Sequence, residues 1–147
     1  MGRANPDKLG ALVAPVRRQM IALQKKHGCW MPDMNGLCGI ASYQIFNLLK
    51  DIGMSPRLCM NEYHAFVLCG GMIVDVTATQ FCNSFPAVFV SPRKKWERWN
   101  IHGYEPFKAE EKLSKLTDIN KAFGGWPYDQ KPQYAFDQGL LPFHKKK

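Results

Sequence analysis

A cysteine, a histidine and an aspartate follow one another in two blocks of the chain, NGLCGIASYQIFNLLKDIG and EYHAFVLCGGMIVDVTATQF. They are Cys38, His64 and Asp75, and their order is that of a thiol-nucleophile triad. Such a triad needs a stabilised thiolate, an imidazole that takes its proton and a third group that holds the imidazole. The sequence therefore predicts acyl-transfer chemistry, provided that the fold brings the three side chains together.

The first block places Cys38 at the start of a helix. Apolar residues recur there at helical spacing and end before Gly53: Ile40, Ala41, Ile45, Phe46, Leu48, Leu49 and Ile52. Unpaired N–H groups and the positive end of the helix dipole favour a thiolate in the first turn, and the Cys38 N–H can also donate to an oxyanion. The alternative is a small buried residue where a loop meets a helix, which is the usual role of a free cysteine.

The second block predicts a β-hairpin. Residues 63–69 and 72–78 are rich in β-branched, aromatic and apolar types, and the Gly-Gly pair between them is typical of a two-residue turn. In that register His64 faces Thr77, whose hydroxyl we expect to have no role in catalysis. Asp75 becomes the diagonal neighbour of His64, about 7–8 Å away along the backbone and within side-chain reach of a hydrogen bond.

Alternation of side chains divides the hairpin into two faces. The first face is polar at one end: His64, Phe66, Leu68, Ile73, Asp75 and Thr77. The second is almost wholly apolar: Ala65, Val67, Cys69, Met72, Val74 and Val76. We expect the Cys38 helix to cover the first face and another helix to cover the second. A lone histidine or aspartate on a strand is more often structural. Here the predicted positions of Cys38, His64 and Asp75 agree with one another, and this agreement favours catalysis.

The two blocks resemble the papain-like, transglutaminase-like superfamily of cysteine enzymes, and within it small bacterial and phage proteins and toxin or effector domains that deamidate or cleave proteins. The resemblance covers residues 35–81. It implies an α+β fold with a papain-like/transglutaminase-like core, in which the nucleophile helix packs on a small antiparallel sheet with flanking helices. It implies Cys38 as nucleophile, His64 as general base and acid, and Asp75 as the group that orients the imidazole.

One position departs from the papain pattern. Pro32 stands six residues before Cys38, where papain-like enzymes carry the glutamine that donates to the oxyanion. Asn35 is the nearest amide candidate for that role, and Gln80 is a weaker one.

Other elements are predicted around this core. An N-terminal helix buries one set of residues, Leu9, Val13, Val16, Met20 and Leu23, and carries another on its opposite face, Arg17, Arg18, Lys25 and Lys26. Pro15 should kink that helix or start a new one. Strands are expected at RLCM and at residues 86–91, a helix at 109–122, and an irregular strap at about 124–147.

Cysteine usage argues against a disulfide framework or a metal site. The five cysteines have no CxxC pair and no zinc-ligand spacing: Cys29, Cys38, Cys59, Cys69 and Cys82. We therefore expect neither a metal nor another cofactor. Cys59 and Cys69 are predicted to be small core residues. Cys29 is the alternative reactive thiol and His27 a rival base, although His27 ends a basic helix where a cation needs no catalytic role.

The length and charge of the chain limit its expected domain organisation, compartment and partners. At 147 residues and 46% hydrophobic, the chain suits one domain (1–147) with its core in residues 35–91. No membrane span or signal-peptide core is visible, so we expect a cytoplasmic protein, in the host cytoplasm if it is a phage or effector product. The net charge of +8 and the segment SPRKKWERW suggest nucleic acid, but an acidic protein substrate explains the charge more economically.

Two classes of function follow. The first is a cysteine hydrolase or acyltransferase: a protease, an amidase, a protein glutamine deamidase or a transglutaminase, which share one acylation step. The second is a non-catalytic binding or structural protein, such as a phage particle or host-interaction component, that keeps the fold without turnover.

Overall fold

The computed structural model describes residues 5–26, 37–60, 64–80 and 85–92. They form an α+β architecture, as predicted. Its elements in chain order are α1 (Pro6–Lys26), α2 (Cys38–Asp51), β1 (Arg57–Met60), β2 (Ala65–Cys69), β3 (Met72–Asp75), a 3₁₀ turn (Ala78–Gln80) and β4 (Phe89–Pro92). The four strands make one antiparallel sheet in the order β1-β2-β3-β4, so each strand pairs with its neighbour in sequence.

The central hairpin has the predicted register. Val67 pairs with Val74, and the ladder continues through Leu68 with Ile73 to Cys69 with Met72. Both turn glycines have positive φ, 59° at Gly70 and 78° at Gly71. This conformation is easy only for residues without a Cβ, so the Gly-Gly pair fixes the turn and thereby the register of the whole hairpin.

The two helices also follow the sequence pattern. The predicted inward residues of α1 are all buried: Leu9, Val13, Val16, Met20 and Leu23. The helix continues through Pro15 as one element, because the packed apolar stripe outweighs the missing N–H. α2 ends two residues before Gly53, whose φ of 91° takes the chain out of the helix.

Both helices pack on the same face of the sheet, which corrects one prediction. α1 and α2 share a hydrophobic core with the apolar hairpin face, including Ala65, Val67 and Val74. The expectation that α2 would cover the His64 face was therefore wrong. A helix needs a continuous apolar surface, and only the second face of the hairpin offers one along its full length. The His64 face packs instead on its own smaller cluster: Cys59, Phe66, Leu68, Ile73, Ala78, Phe85 and Phe89.

Some of the remaining predictions can be compared with the structure, and others concern residues that it does not describe. β1 coincides with RLCM, and the strand expected at residues 86–91 is found at Phe89–Pro92, beyond the proline at position 86 that cannot donate to a ladder. Neither helix in the described part of the chain combines the length and apolar character that crossing a bilayer requires. Several predictions lie outside the described residues: the helix 109–122, the strap 124–147, residues 93–99 of the basic segment, His27, Cys29, Asn35 and Cys82.

Candidate active site

Cys38 is the first residue of α2, as the sequence predicts. The residue before it, Leu37, has φ −109° and ψ 4° and makes no side-chain cap. The first helical hydrogen bond of α2 is donated by the Ala41 N–H to the Leu37 carbonyl, 2.9 Å away. The N–H groups ahead of Ala41 therefore have no acceptor within the helix, and the Cys38 N–H belongs to this set. Its thiol thus lies at the positive end of a helix of 14 residues.

His64 lies immediately before β2 and is buried, with 3% of its surface exposed. Its Nε2 atom is 2.6 Å from Oδ2 of Asp75, the last residue of β3. The ring also stacks against Phe66, with 6.3 Å between centroids and 18° between planes. The hairpin register brings the two polar residues together, and the Phe66 ring restricts how the imidazole can turn.

The Asp75 carboxylate is held by its own turn. Oδ1 accepts the Thr77 backbone N–H at 2.7 Å and the Thr77 hydroxyl at 3.1 Å, while Oδ2 is left for His64. The expectation that the Thr77 hydroxyl has no role in catalysis stays a prediction, but the sequence analysis did not foresee this contact with Asp75. The signal was present in Asp-x-Thr, because an aspartate commonly accepts from the backbone N–H two residues later.

A side-chain hydrogen bond with Cys38 is among the causes that raise the pKa of His64, so the thiol and the ring lie within reach of each other. Burial alone would lower the pKa of His64, because it disfavours the charged ring. The charge and hydrogen bond of Asp75 outweigh burial and, together with the bond to Cys38, raise the pKa of His64 to about 10. The raised pKa favours the protonated form of the His64 ring, which is the form that stabilises a thiolate beside it.

Gln80 reaches the candidate site through its side-chain amide. Its Nε2 lies 3.0 Å from Nδ1 of His64 and 3.0 Å from the Thr77 carbonyl oxygen. The amide is thus engaged with the imidazole and the turn. The role of Gln80 as oxyanion donor stays a prediction, and Asn35 lies outside the described residues. The Cys38 backbone N–H remains the donor that the structure offers.

Arg17 connects the helix layer to the turn that carries Asp75. Its guanidinium donates at 2.9 Å to the Val76 carbonyl oxygen and at 2.9 Å to the Thr79 hydroxyl. The sequence placed Arg17 on the outer face of α1, but the residue is only partly exposed and reaches inward. Helical spacing gives the direction of a Cα–Cβ bond, whereas a long arginine side chain can reach around the helix edge.

The remaining cysteines in the described part of the chain fit their predicted role. Cys59 and Cys69 are buried free thiols, and burial raises the pKa of Cys69 against a weaker opposing hydrogen bond from the Ser55 backbone. Within the described ranges no group of His, Cys, Asp and Glu side chains is arranged to hold a metal ion. A groove of about 310 Å³ lies at the turn end of the hairpin, away from the triad, lined by Ser55, Arg57, Leu68, Cys69, Gly70 and Gly71.

Comparison with known proteins adds no relative to this description. No protein-family model matches the chain, and no curated protein or solved structure shows significant similarity to it.

Proposed function

We propose that the chain is a thiol-dependent acyl-transfer enzyme with a papain-like or transglutaminase-like core. Cys38 is the nucleophile, His64 the general base and acid, and Asp75 the group that orients the ring. The observation that carries the proposal is one imidazole bonded to Asp75 at 2.6 Å and also to a thiol at a helix N-terminus. A purely structural His–Asp pair needs no such thiol, whereas nucleophilic catalysis needs all three groups.

Acylation begins with the thiol proton on the imidazole. The Cys38 thiolate attacks the carbonyl carbon of a carboxamide or peptide bond, and the oxygen takes the negative charge in the tetrahedral intermediate. The backbone N–H of Cys38, at the start of α2, donates to that oxygen. Collapse of the intermediate breaks the carbon–nitrogen bond, and the imidazolium of His64 gives its proton to the leaving ammonia or amine. The product is a thioester on Cys38.

Deacylation uses the same groups in reverse. Neutral His64 takes a proton from water as the water attacks the thioester carbonyl, and the intermediate collapses with release of the Cys38 thiolate. The acyl product leaves as a carboxylic acid. Asp75 stabilises the imidazolium that forms in each half-reaction and does not itself become protonated.

The acceptor and the acyl donor decide the reaction class. Water on a glutamine side chain gives deamidation, water on a main-chain acyl group gives proteolysis or amidase action, and a lysine amine gives transglutamination. The net charge of +8 favours an acidic protein or peptide as the partner, because a basic surface attracts it before docking. The three outcomes share the acylation chemistry of Cys38, so they are alternatives within one proposal.

Two measurements test the proposal. The intact protein is treated with iodoacetamide near neutral pH, and peptide mass spectrometry locates the modified cysteines. A host-cell lysate is then incubated with the wild type and with Cys38→Ala, and its proteins are compared for deamidated glutamines, new termini and Gln–Lys cross-links. We expect selective modification of Cys38 and one class of change that Cys38→Ala lacks. An unreactive Cys38 with identical lysates would instead favour the non-catalytic binding protein.

A further inference from the structure

The ring of His64 has a further polar partner that the triad does not require. Gln80 lies in the 3₁₀ turn that follows β3, sixteen positions after His64 in the chain. Its amide nitrogen is 3.0 Å from Nδ1, whereas Asp75 contacts the other ring nitrogen, Nε2. The imidazole is therefore contacted at both nitrogens, by a carboxylate at the end of β3 and by an amide in the turn that follows it.

The orientation of the Gln80 amide is fixed by the turn. Its nitrogen lies 3.0 Å from the Thr77 carbonyl oxygen, and a carbonyl oxygen only accepts hydrogen bonds. The NH₂ group must therefore face Thr77, since the amide oxygen would be repelled there. An amide nitrogen carries two hydrogens, so one can bond to the Thr77 carbonyl while the other is directed to Nδ1 of His64. The backbone N–H of Gln80 also donates to the Thr77 carbonyl oxygen, at 3.1 Å, which holds the turn itself.

A donor at Nδ1 places a condition on the protonation of the ring. Neutral imidazole has one N–H and one lone pair, and imidazolium has an N–H at both positions. With Nε2–H donating to Asp75, the lone pair of the neutral ring is on Nδ1 and can accept the Gln80 N–H. Imidazolium would instead bring two N–H groups toward each other, between His64 and Gln80.

Building on the proposed function, we propose that Gln80 is a positioning residue for His64. It selects the neutral tautomer with the proton on Nε2 and the lone pair on Nδ1, and it must release Nδ1 before the thiol proton can be received there. The Gln80 N–H thus favours the neutral ring. It opposes Asp75 and Cys38, which both favour the protonated ring.

Two ionisable groups of the described residues act on the charge of the His64 ring. Asp75 contacts it from β3 and Cys38 from the start of α2, and both favour the imidazolium. Among the cations of α1, Arg17 donates to the neighbouring turn, at the Val76 carbonyl oxygen and the Thr79 hydroxyl. Gln80 is uncharged, so its effect comes from the direction of its N–H and not from a net charge.

Nitrogen NMR of histidine tests this role without any turnover. The chain has four histidines, so ¹⁵N-labelled histidine gives a small spectrum in which His64 is assigned from its absence in His64→Asn. The ring shifts of His64 are followed with pH in the wild type, Gln80→Met and Gln80→Glu. Gln19→Met, in the helix layer where Gln19 accepts from Gln44, is the matched control.

Removing the donor should raise the pH at which His64 titrates by roughly half to one unit, the size expected for one hydrogen bond to the neutral form. Gln80→Glu should raise it further, because a carboxylate accepts from Nδ1–H, and Gln19→Met should leave it unchanged. The proposal is overturned if His64 in Gln80→Met titrates at the same pH as in the wild type or at a lower pH.

The wild type alone supplies an independent check if a Gln80 variant does not fold. Once His64 is neutral, its Nδ1 should show the shift of an unprotonated nitrogen and its Nε2 that of an N–H. The opposite tautomer contradicts the role assigned to Gln80. Failure of the proposed function is seen separately, because an unreactive Cys38 leaves these nitrogen shifts measurable and does not alter the expected tautomer.

Discussion

The imidazole of His64 and the carboxylate of Asp75 are 2.6 Å apart at the end of the hairpin, and both side chains are buried. Their pairing makes the stability of the fold depend on pH. The pKa of His64 is raised from 6.5 to about 10 in the folded protein. The folded state therefore binds the proton more tightly than the unfolded chain, and proton binding stabilises it.

The direction of this pH dependence gives the first prediction. The pair should contribute its full stabilisation below pH 6.5, lose it progressively as the pH rises, and contribute nothing once the pH passes about 10. Urea unfolding of the wild type and of His64→Gln at a series of pH values measures the difference. The gap between the two proteins should narrow as the pH rises from neutral. A gap that stays constant or widens would show that the ring is not protonated in the folded state.

Selective alkylation of Cys38 is the second prediction. The three described free cysteines are almost equally buried, with 3% of Cys38, 0% of Cys59 and 2% of Cys69 exposed. Exposure therefore cannot make Cys38 the preferred target, whereas its bond to His64 and its helix N-terminus can. Iodoacetamide should modify Cys38 first, and His64→Ala should slow this reaction at neutral pH to the rate of the other two. Labelling that ignores His64 would place the reactive thiol elsewhere.

Loss of the Asp75 charge is the third prediction. Asp75→Asn keeps an oxygen for the Thr77 N–H and hydroxyl but no longer stabilises the imidazolium. Turnover should fall by about three to four orders of magnitude, as it does when the aspartate of a serine-protease triad is changed in this way. Turnover is measured as the change that the lysate comparison reveals, and Cys38→Ala serves as the inactive reference. A loss of less than about tenfold would make Asp75 a structural residue.

The sequence predicted the contact between His64 and Asp75 because a few residues dictate it. Gly70 and Gly71 set the hairpin register, and the register sets the distance between His64 and Asp75. The helix start at Cys38 follows from apolar spacing alone. Each of these is a local rule acting over a few residues, and such rules survive the packing of the rest of the chain.

What the sequence could not predict depends on contacts between distant elements. The choice of sheet face for α2 is a tertiary property, settled by which hairpin face offers a longer apolar surface to two helices at once. The inward reach of Arg17 and the contact of Gln80 with Nδ1 depend on side-chain rotamers. Neither has a signature in spacing or composition, since a glutamine five residues after an aspartate is ordinary in a turn.

Substitutions at Val74 and Thr77 should differ strongly in their effect on stability, which gives the fourth prediction. Val74 is fully buried between the sheet and the helices, so Val74→Asp places a charge in that core and should unfold the protein. Thr77→Val removes the hydroxyl that donates to Asp75 but keeps the backbone bond, and should lower stability by about 1 kcal/mol. Thermal melting distinguishes them. A Thr77→Val protein as unstable as Val74→Asp would mean that the hydroxyl holds the turn together.

The last prediction couples Asp75 to Gln80 through the two nitrogens of His64. In Asp75→Asn, the amide oxygen stays with Thr77, so the amide nitrogen faces Nε2 of His64. Nε2 must then accept, and the ring proton moves to Nδ1, where the Gln80 N–H is already directed. Two donors meet there, and the Gln80 amide cannot turn without facing the Thr77 carbonyl with its oxygen.

Gln80→Met should therefore relieve part of the damage that Asp75→Asn causes. The double variant should be more stable than the sum of the single changes by about 0.5–3 kcal/mol, the range found for residues that share one hydrogen-bond network. Chemical denaturation of the four proteins in the cycle measures this coupling, and Gln19→Met in place of Gln80→Met should give none. Strict additivity of Asp75→Asn and Gln80→Met would mean that the amide does not donate to Nδ1. Asp75 and the stacking on Phe66 would then help to orient His64 without a contribution from the Gln80 amide.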